Sequence, residues 1–113
     1  MIKESDVIFL TDVAMPHFGV KLVGLSYSQS KKKWPDIWLG YDDMGTPIIT
    51  VTREWARQSM HERRKRLIHE LIHLIGQDHD KSIGYSTYPD KDTYSMKVYK
   101  EICRNKPMWS NSH

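Results

Sequence analysis

The chain has 113 residues, a formal net charge of +3 and 39% hydrophobic residues, which predict one domain over 1–113 with a single core. No apolar run approaches the ~18–20 residues of a membrane helix, and the start lacks a secretory signal, so we expect no membrane partner and a cytoplasmic location. Cys103 is the only cysteine in the sequence, which excludes an internal disulfide and a zinc site of paired thiolates.

The first half of the chain, 1–52, has the pattern of β-strands separated by turns. Runs of β-branched and aromatic residues, interrupted by proline, glycine and polar segments, predict four strands. These strands are expected at 7–10, 20–27, 36–41 and 47–51. The connection between the last two is short, so we expect them to be antiparallel neighbours joined by a tight turn.

The hydrophobic period changes at Thr52 and becomes helical. We predict one active-site helix over 53–75 with Thr52 as its N-cap, and a C-terminal helix over 96–104 in the last part of the chain, 76–113. The first half of the long helix is strongly charged and needs a solvent face, whereas its second half is apolar almost all round. The expected fold is α+β, with a small mixed sheet packed on the long helix.

Three of the six histidines lie in one stretch, HELIHLIGQDH, at 69–79. His69 and His73 are four residues apart, about 40° around a helix axis, so both imidazoles project from one face. Gly76 can adopt a left-handed conformation that ends the helix and reverses the chain, which would return His79 toward the same ion. Three imidazoles suit a catalytic zinc ion with one open position.

Glu70 is next to the first of these histidines and is placed to reach a water on the metal as general base and later as proton donor. Unpaired polar groups are costly in so apolar a segment, which favours a metal site over tolerated polar residues. Asp78 and Asp80 flank His79 and are possible ligands, but as neighbours in a turn they are better suited to cap backbone amides or orient a ligand imidazole. The sequence therefore predicts one zinc ion on three histidines, with Glu70 catalytic.

The same stretch resembles HExxHxxGxxH, the extended zinc-binding signature of the metzincin metallopeptidases. The matching residues are His69, Glu70, His73, Gly76 and His79. Metzincins also have a methionine turn beneath the metal, and Met96, preceded by Ser95, resembles that methionine. The resemblance covers 52–104 and implies a zincin-like fold and a zinc metalloendopeptidase acting on a peptide or protein.

The chain departs from the metzincin pattern at several positions. Residues 11–19 are too short and broken to supply the helix that metzincins usually have between their first two strands. Some members carry a tyrosine two residues after the turn methionine, where this chain has Val98. Candidates to replace it near the oxyanion or substrate, led by the first two, are Tyr94, Tyr99, Tyr88 and Tyr85. In this family the substrate lies extended along an edge strand, for which we predict 36–41.

A second family also resembles the chain, the small metal-dependent endoribonucleases of bacterial rRNA maturation. Their HxxxHxxGxDH signature is satisfied by His69, His73, Gly76, Asp78 and His79. The basic runs KKK (31–33) and RRKR (63–66) would suit an RNA backbone, although such runs are usually solvated faces or loops. That family has glycine where this chain has Glu70, so a nucleic acid is the less favoured partner.

A third alternative is a zinc-binding structural or interaction module without turnover. An open coordination position beside a glutamate argues against it, since structural zinc sites are closed by four ligands. We therefore expect an enzyme. We also expect it to be a monomer. The remaining histidines, His17, His61 and His113, are assigned no role.

Overall fold

A computed structural model of the chain describes residues 2–29, 35–75 and 91–105, and in the last segment the side chains of 97–104. In chain order its elements are α1 (Glu4–Ile8), a π-helix (Phe9–Ala14), α2 (Met15–Phe18), β1 (Gly24–Ser28), β2 (Ile37–Tyr41), β3 (Pro47–Thr52), α3 (Arg53–Ala56), α4 (Met60–Leu74) and α5 (Lys91–Asn105). The predicted α+β class is confirmed. The described residues form three strands where four were predicted.

The apolar run at 7–10, predicted as a strand, is helical instead. The π-helix buries residues at helical spacing, namely Phe9, Leu10, Val13 and Ala14. Residues 11–19, judged too broken for a helix, continue this segment until Gly19 takes a left-handed φ of 69°. The N–H of Val20 then donates to the Met15 carbonyl at 2.9 Å, which closes the helix end. A short apolar run has no period of its own, so the spacing beyond it decides between strand and helix.

The sheet has the order β1-β3-β2, with β1 parallel and β2 antiparallel to the central β3. The predicted antiparallel neighbours are therefore confirmed, and the predicted edge 36–41 corresponds to an edge of the described sheet. Between β2 and β3, Asp42 Oδ1 accepts hydrogen bonds from the N–H groups of Met44 and Thr46 at 2.8 and 2.9 Å. Gly45 completes this tight turn with a φ of 80°. β1 begins four residues later than the predicted strand 20–27.

The predicted helix over 53–75 is divided into α3 and α4. Thr52 caps α3 as predicted, because its Oγ1 accepts a hydrogen bond from the N–H of Trp55 at 3.4 Å. Ser59 is extended and starts α4, with its Oγ accepting from the N–H of Glu62 at 3.2 Å. Ser-x-x-Glu is a helix-start signature, so the sequence held a signal for this break.

The core lies between the sheet, the N-terminal helical segment and α4, and α5 packs on α4. α4 buries Leu67, Ile68, Leu71 and Ile72 almost completely. α5 begins five residues before its predicted start and adds Val98, Tyr99 and Ile102 to the same core. Among the described helices, none has the length and apolar character needed to cross a membrane.

Candidate metal centre

Two histidines of α4 approach each other closely, as their spacing predicted. The Nε2 atoms of His69 and His73 are 3.1 Å apart, and the ring planes are inclined at 77°. Both side chains are partly exposed, on a helix whose opposite side is buried in the core. Two ring nitrogens at this distance share either a proton or a cation, because two lone pairs would repel each other.

The spacing of these nitrogens fits a bound divalent ion. Zinc binds imidazole nitrogen at about 2.0–2.1 Å, so two nitrogens 3.1 Å apart would subtend roughly 100° at the ion. That angle lies between the octahedral and tetrahedral values. Neutral imidazole also suits zinc and its neighbours among the divalent metals. The same distance fits a direct hydrogen bond between the rings in the absence of an ion.

Glu70 brings a carboxylate to the histidine pair. One of its oxygens and one nitrogen from each histidine lie within 4.8 Å of one another, so the three residues could hold a metal ion. Glu70 is only 7% exposed, and a carboxylate is buried at a cost unless it is compensated by hydrogen bonds, opposite charge or a metal. The structure therefore brings together the predicted base and two of the three predicted ligands.

The rest of the predicted site lies outside the described residues. This part comprises the predicted helix stop, the third ligand, its flanking carboxylates and two tyrosines: Gly76, His79, Asp78, Asp80, Tyr85 and Tyr88. Tyr94 and Met96 belong to the backbone of α5, but their side chains are not among those described. The roles proposed for all these residues stay predictions.

Tyr99, a candidate for the oxyanion or substrate, lies away from the histidine pair. Its hydroxyl is 2.7 Å from Nδ1 of His61, which precedes His69 by eight residues, or about 12 Å along the helix. The reason is that α5 packs Tyr99 against the N-terminal half of α4. Burial raises the pKa of Tyr99 to about 12, with Cys103 adding to the rise and Arg64 opposing it. No sequence motif indicated this His–Tyr contact.

The basic run RRKR (63–66) is mostly buried, contrary to the expectation of a solvated face. Asp6, fully buried in α1, accepts hydrogen bonds from Nε of Arg63 at 2.7 Å and from Nε of Arg64 at 3.4 Å. These cations are used inside the fold, so they do not support RNA binding at this surface. The second basic run, 31–33, lies outside the described residues.

The last residue of the basic run, Arg66, joins α4 to the sheet. Its Nη1 donates to Oδ1 of Asp36 at 3.0 Å. The main-chain carbonyl of Asp36 accepts hydrogen bonds from the N–H and the hydroxyl of Thr52 at 3.0 and 2.8 Å. Asp36 therefore links the start of β2, the end of β3 and the face of α4 beside the histidines.

In comparisons with known proteins, no family model, curated protein or solved structure matches the chain. The metzincin and endoribonuclease resemblances thus rest on motif residues. A His–Glu–His cluster is too small to identify a family.

Proposed function

We propose that this chain is a zinc-dependent metallopeptidase of metzincin type, with one ion held by His69, His73 and His79. The observation that carries the proposal is the convergence in α4, where two Nε2 atoms lie 3.1 Å apart with the Glu70 carboxylate beside them. Two imidazoles four residues apart on a helix, with a glutamate next to the first, are the arrangement in which the histidines bind zinc and the glutamate acts as general base.

Glu70 is the proton-transfer residue of the proposed reaction. A bound zinc ion would supply an activated water with a pKa near about 7 and polarise the scissile carbonyl. The Glu70 carboxylate accepts the proton of the attacking water and passes it to the leaving amine nitrogen. The buried residues behind the site, Leu67 and Leu71 among them, hold the helix and so fix the direction of the three polar side chains.

The proposal is tested by assaying zinc-loaded protein against a mixed peptide library and a structured RNA. We expect peptide cleavage that falls by about 10²–10⁴-fold in Glu70→Gln, the usual contribution of a general base, while zinc stays bound. His17→Ala is the matched control, because this exposed histidine of α2 lies outside the site. Absence of peptide cleavage, or cleavage that persists in Glu70→Gln, would contradict the proposal.

The two alternative functions predict different results in the same assay. An endoribonuclease of the rRNA-maturation type would cleave the RNA, with activity surviving in Glu70→Gln. A non-catalytic zinc module would bind the ion and cleave neither substrate. Burial of Arg63 and Arg64 removes one of the two basic runs that favoured RNA, so peptide hydrolysis is better supported.

A further inference from the structure

Arg66 lies on the same face of α4 as the candidate metal centre. Positions 66, 69, 70 and 73 fall within an arc of about 100° around the helix axis. The Arg66 side chain is 21% exposed, and that of its partner Asp36 is 4% exposed. A largely buried ion pair with a hydrogen bond of 3.0 Å is stronger and more directional than an exposed one. This pair therefore fixes the helix one turn before the histidines.

Asp36 extends this link from α4 into two strands. It directly precedes β2, and its carbonyl holds both the N–H and the hydroxyl of Thr52, the last residue of β3. Thr52 also caps α3. The Arg66–Asp36 ion pair thus connects the site face of α4 with the β2–β3 hairpin.

β2 is placed to receive an extended chain. Within the part of the chain that the structure describes, β2 pairs with β3 and lies at an edge of the sheet. An edge strand offers its outward N–H and C=O groups to a segment that adds as a further strand. α4 also contacts β2 directly, so the link through Arg66 helps to place such a segment relative to the metal centre.

We propose that Arg66 is a positioning residue, which holds β2 through Asp36 as the seat of an extended peptide substrate beside the metal centre. This inference rests on the proposed function. Loss of the link leaves the zinc donors in place but frees β2 to shift relative to α4. A peptide that pairs with β2 then reaches the metal centre only at a greater free-energy cost, so it binds more weakly.

The test compares Arg66→Gln and Arg66→Lys with the control Arg57→Gln, which removes an exposed arginine that pairs with Glu54 at 3.6 Å. Steady-state kinetics on a peptide from the library give KM and kcat, and competition with a chelating dye gives zinc affinity. We expect KM to rise about tenfold in Arg66→Gln, with a smaller rise in Arg66→Lys and zinc affinity within about twofold of wild type. Partial unfolding would lower kcat but leave KM unchanged, so KM is the diagnostic quantity.

The contrary results distinguish the positioning role from the proposed function. An unchanged KM in both Arg66 variants, or a loss of zinc affinity as large as the change in KM, would overturn the positioning role alone. Failure of the wild-type protein to cleave any peptide would instead overturn the proposed function on which that role rests.

Discussion

The two halves of α4 use buried polar groups in different ways. In the first half, 60–66, the buried cations face carboxylates: Arg63 and Arg64 both bond to Asp6, and Lys65 lies 2.7 Å from Glu62. These pairs join α4 to the N-terminal helical segment or to its own previous turn. The charges of these cations are therefore compensated by ion pairs within the fold.

In the second half, 67–74, the polar side chains turn toward one another instead. His69 and His73 approach at Nε2, and the nearby carboxylate belongs to Glu70 of the same turn. The comparison teaches that the presence of buried polar side chains does not by itself separate structural charge from a site, since both halves contain them. What separates them is that cations pair with carboxylates in the first half, whereas three possible metal donors converge in the second.

The largest effect on stability is expected from the first half of the helix. Asp6→Ala leaves two buried guanidinium groups without their shared carboxylate, which should lower the free energy of unfolding by about 3–5 kcal/mol. Urea or thermal unfolding measures this change. Asp12→Ala, at an exposed position of the π-helix, is the control and should change stability by no more than about 0.5 kcal/mol. Equal effects of the two substitutions would show that the Asp6 network is not structural.

The stability contributed by the second half of α4 should depend on bound zinc rather than on ion pairs. Zinc at about 100 times its Kd should stabilise the wild-type protein by about 2.7 kcal/mol, because it binds the folded state. His73→Ala should abolish most of this gain, whereas His17→Ala should keep it. Calorimetry with and without zinc measures the shift in Tm. A shift that survives in His73→Ala would place the ion elsewhere.

Alkaline pH should loosen the contact between α5 and α4. The pKa of Tyr99 is raised from 10.0 to about 12, mainly by burial, so the folded protein keeps the phenolic proton to higher pH than the unfolded chain. The free energy of unfolding is unaffected by this difference below pH 10.0. It falls by roughly 2–3 kcal/mol as pH rises toward about 12. Unfolding measured from pH 9 to about 12 should therefore show the free energy of unfolding of the wild-type protein falling more steeply than that of Tyr99→Phe. Parallel curves would contradict the shift.

The smallest effect is expected where α4 begins. Ser59→Ala removes the acceptor for the N–H of Glu62 and should cost about 1 kcal/mol, the usual value of an N-cap. Ser26→Ala, at the exposed central position of β1, is the matched control. Chemical denaturation resolves a difference of this size. No difference between the two variants would mean that the α3–α4 break does not depend on the cap.

Local features of the fold were predictable because they depend on neighbouring residues. The Thr52 cap and the tight turn before β3 follow from residue types at fixed offsets, and the Ser59 start could have been predicted in the same way. The helical nature of 7–10 could not be judged from the run itself. It depends on burial against the rest of the core, including a contact between Asp6 and Arg63 that spans 57 positions.

The same distinction between local features and long-range contacts applies to the candidate site. Convergence of His69, Glu70 and His73 follows from the helical period alone, so the sequence predicted it. Links that cross between elements, Arg66 to Asp36 and Tyr99 to His61, carry no signature in the sequence. Oppositely charged or polar residues far apart in a chain have many potential partners, and only the packing of the helices and strands selects one.

The central claim is that His69 and His73 bind the same zinc ion. X-ray absorption at the zinc edge, measured on wild-type protein loaded with one equivalent of zinc, tests it most directly. A zinc ion shared by His69 and His73 predicts at least two imidazole nitrogens at about 2.0–2.1 Å, and a spectrum that changes in the His69→Ala/His73→Ala variant. Zinc that is not retained, or an imidazole shell that the double variant leaves unaltered, would contradict it.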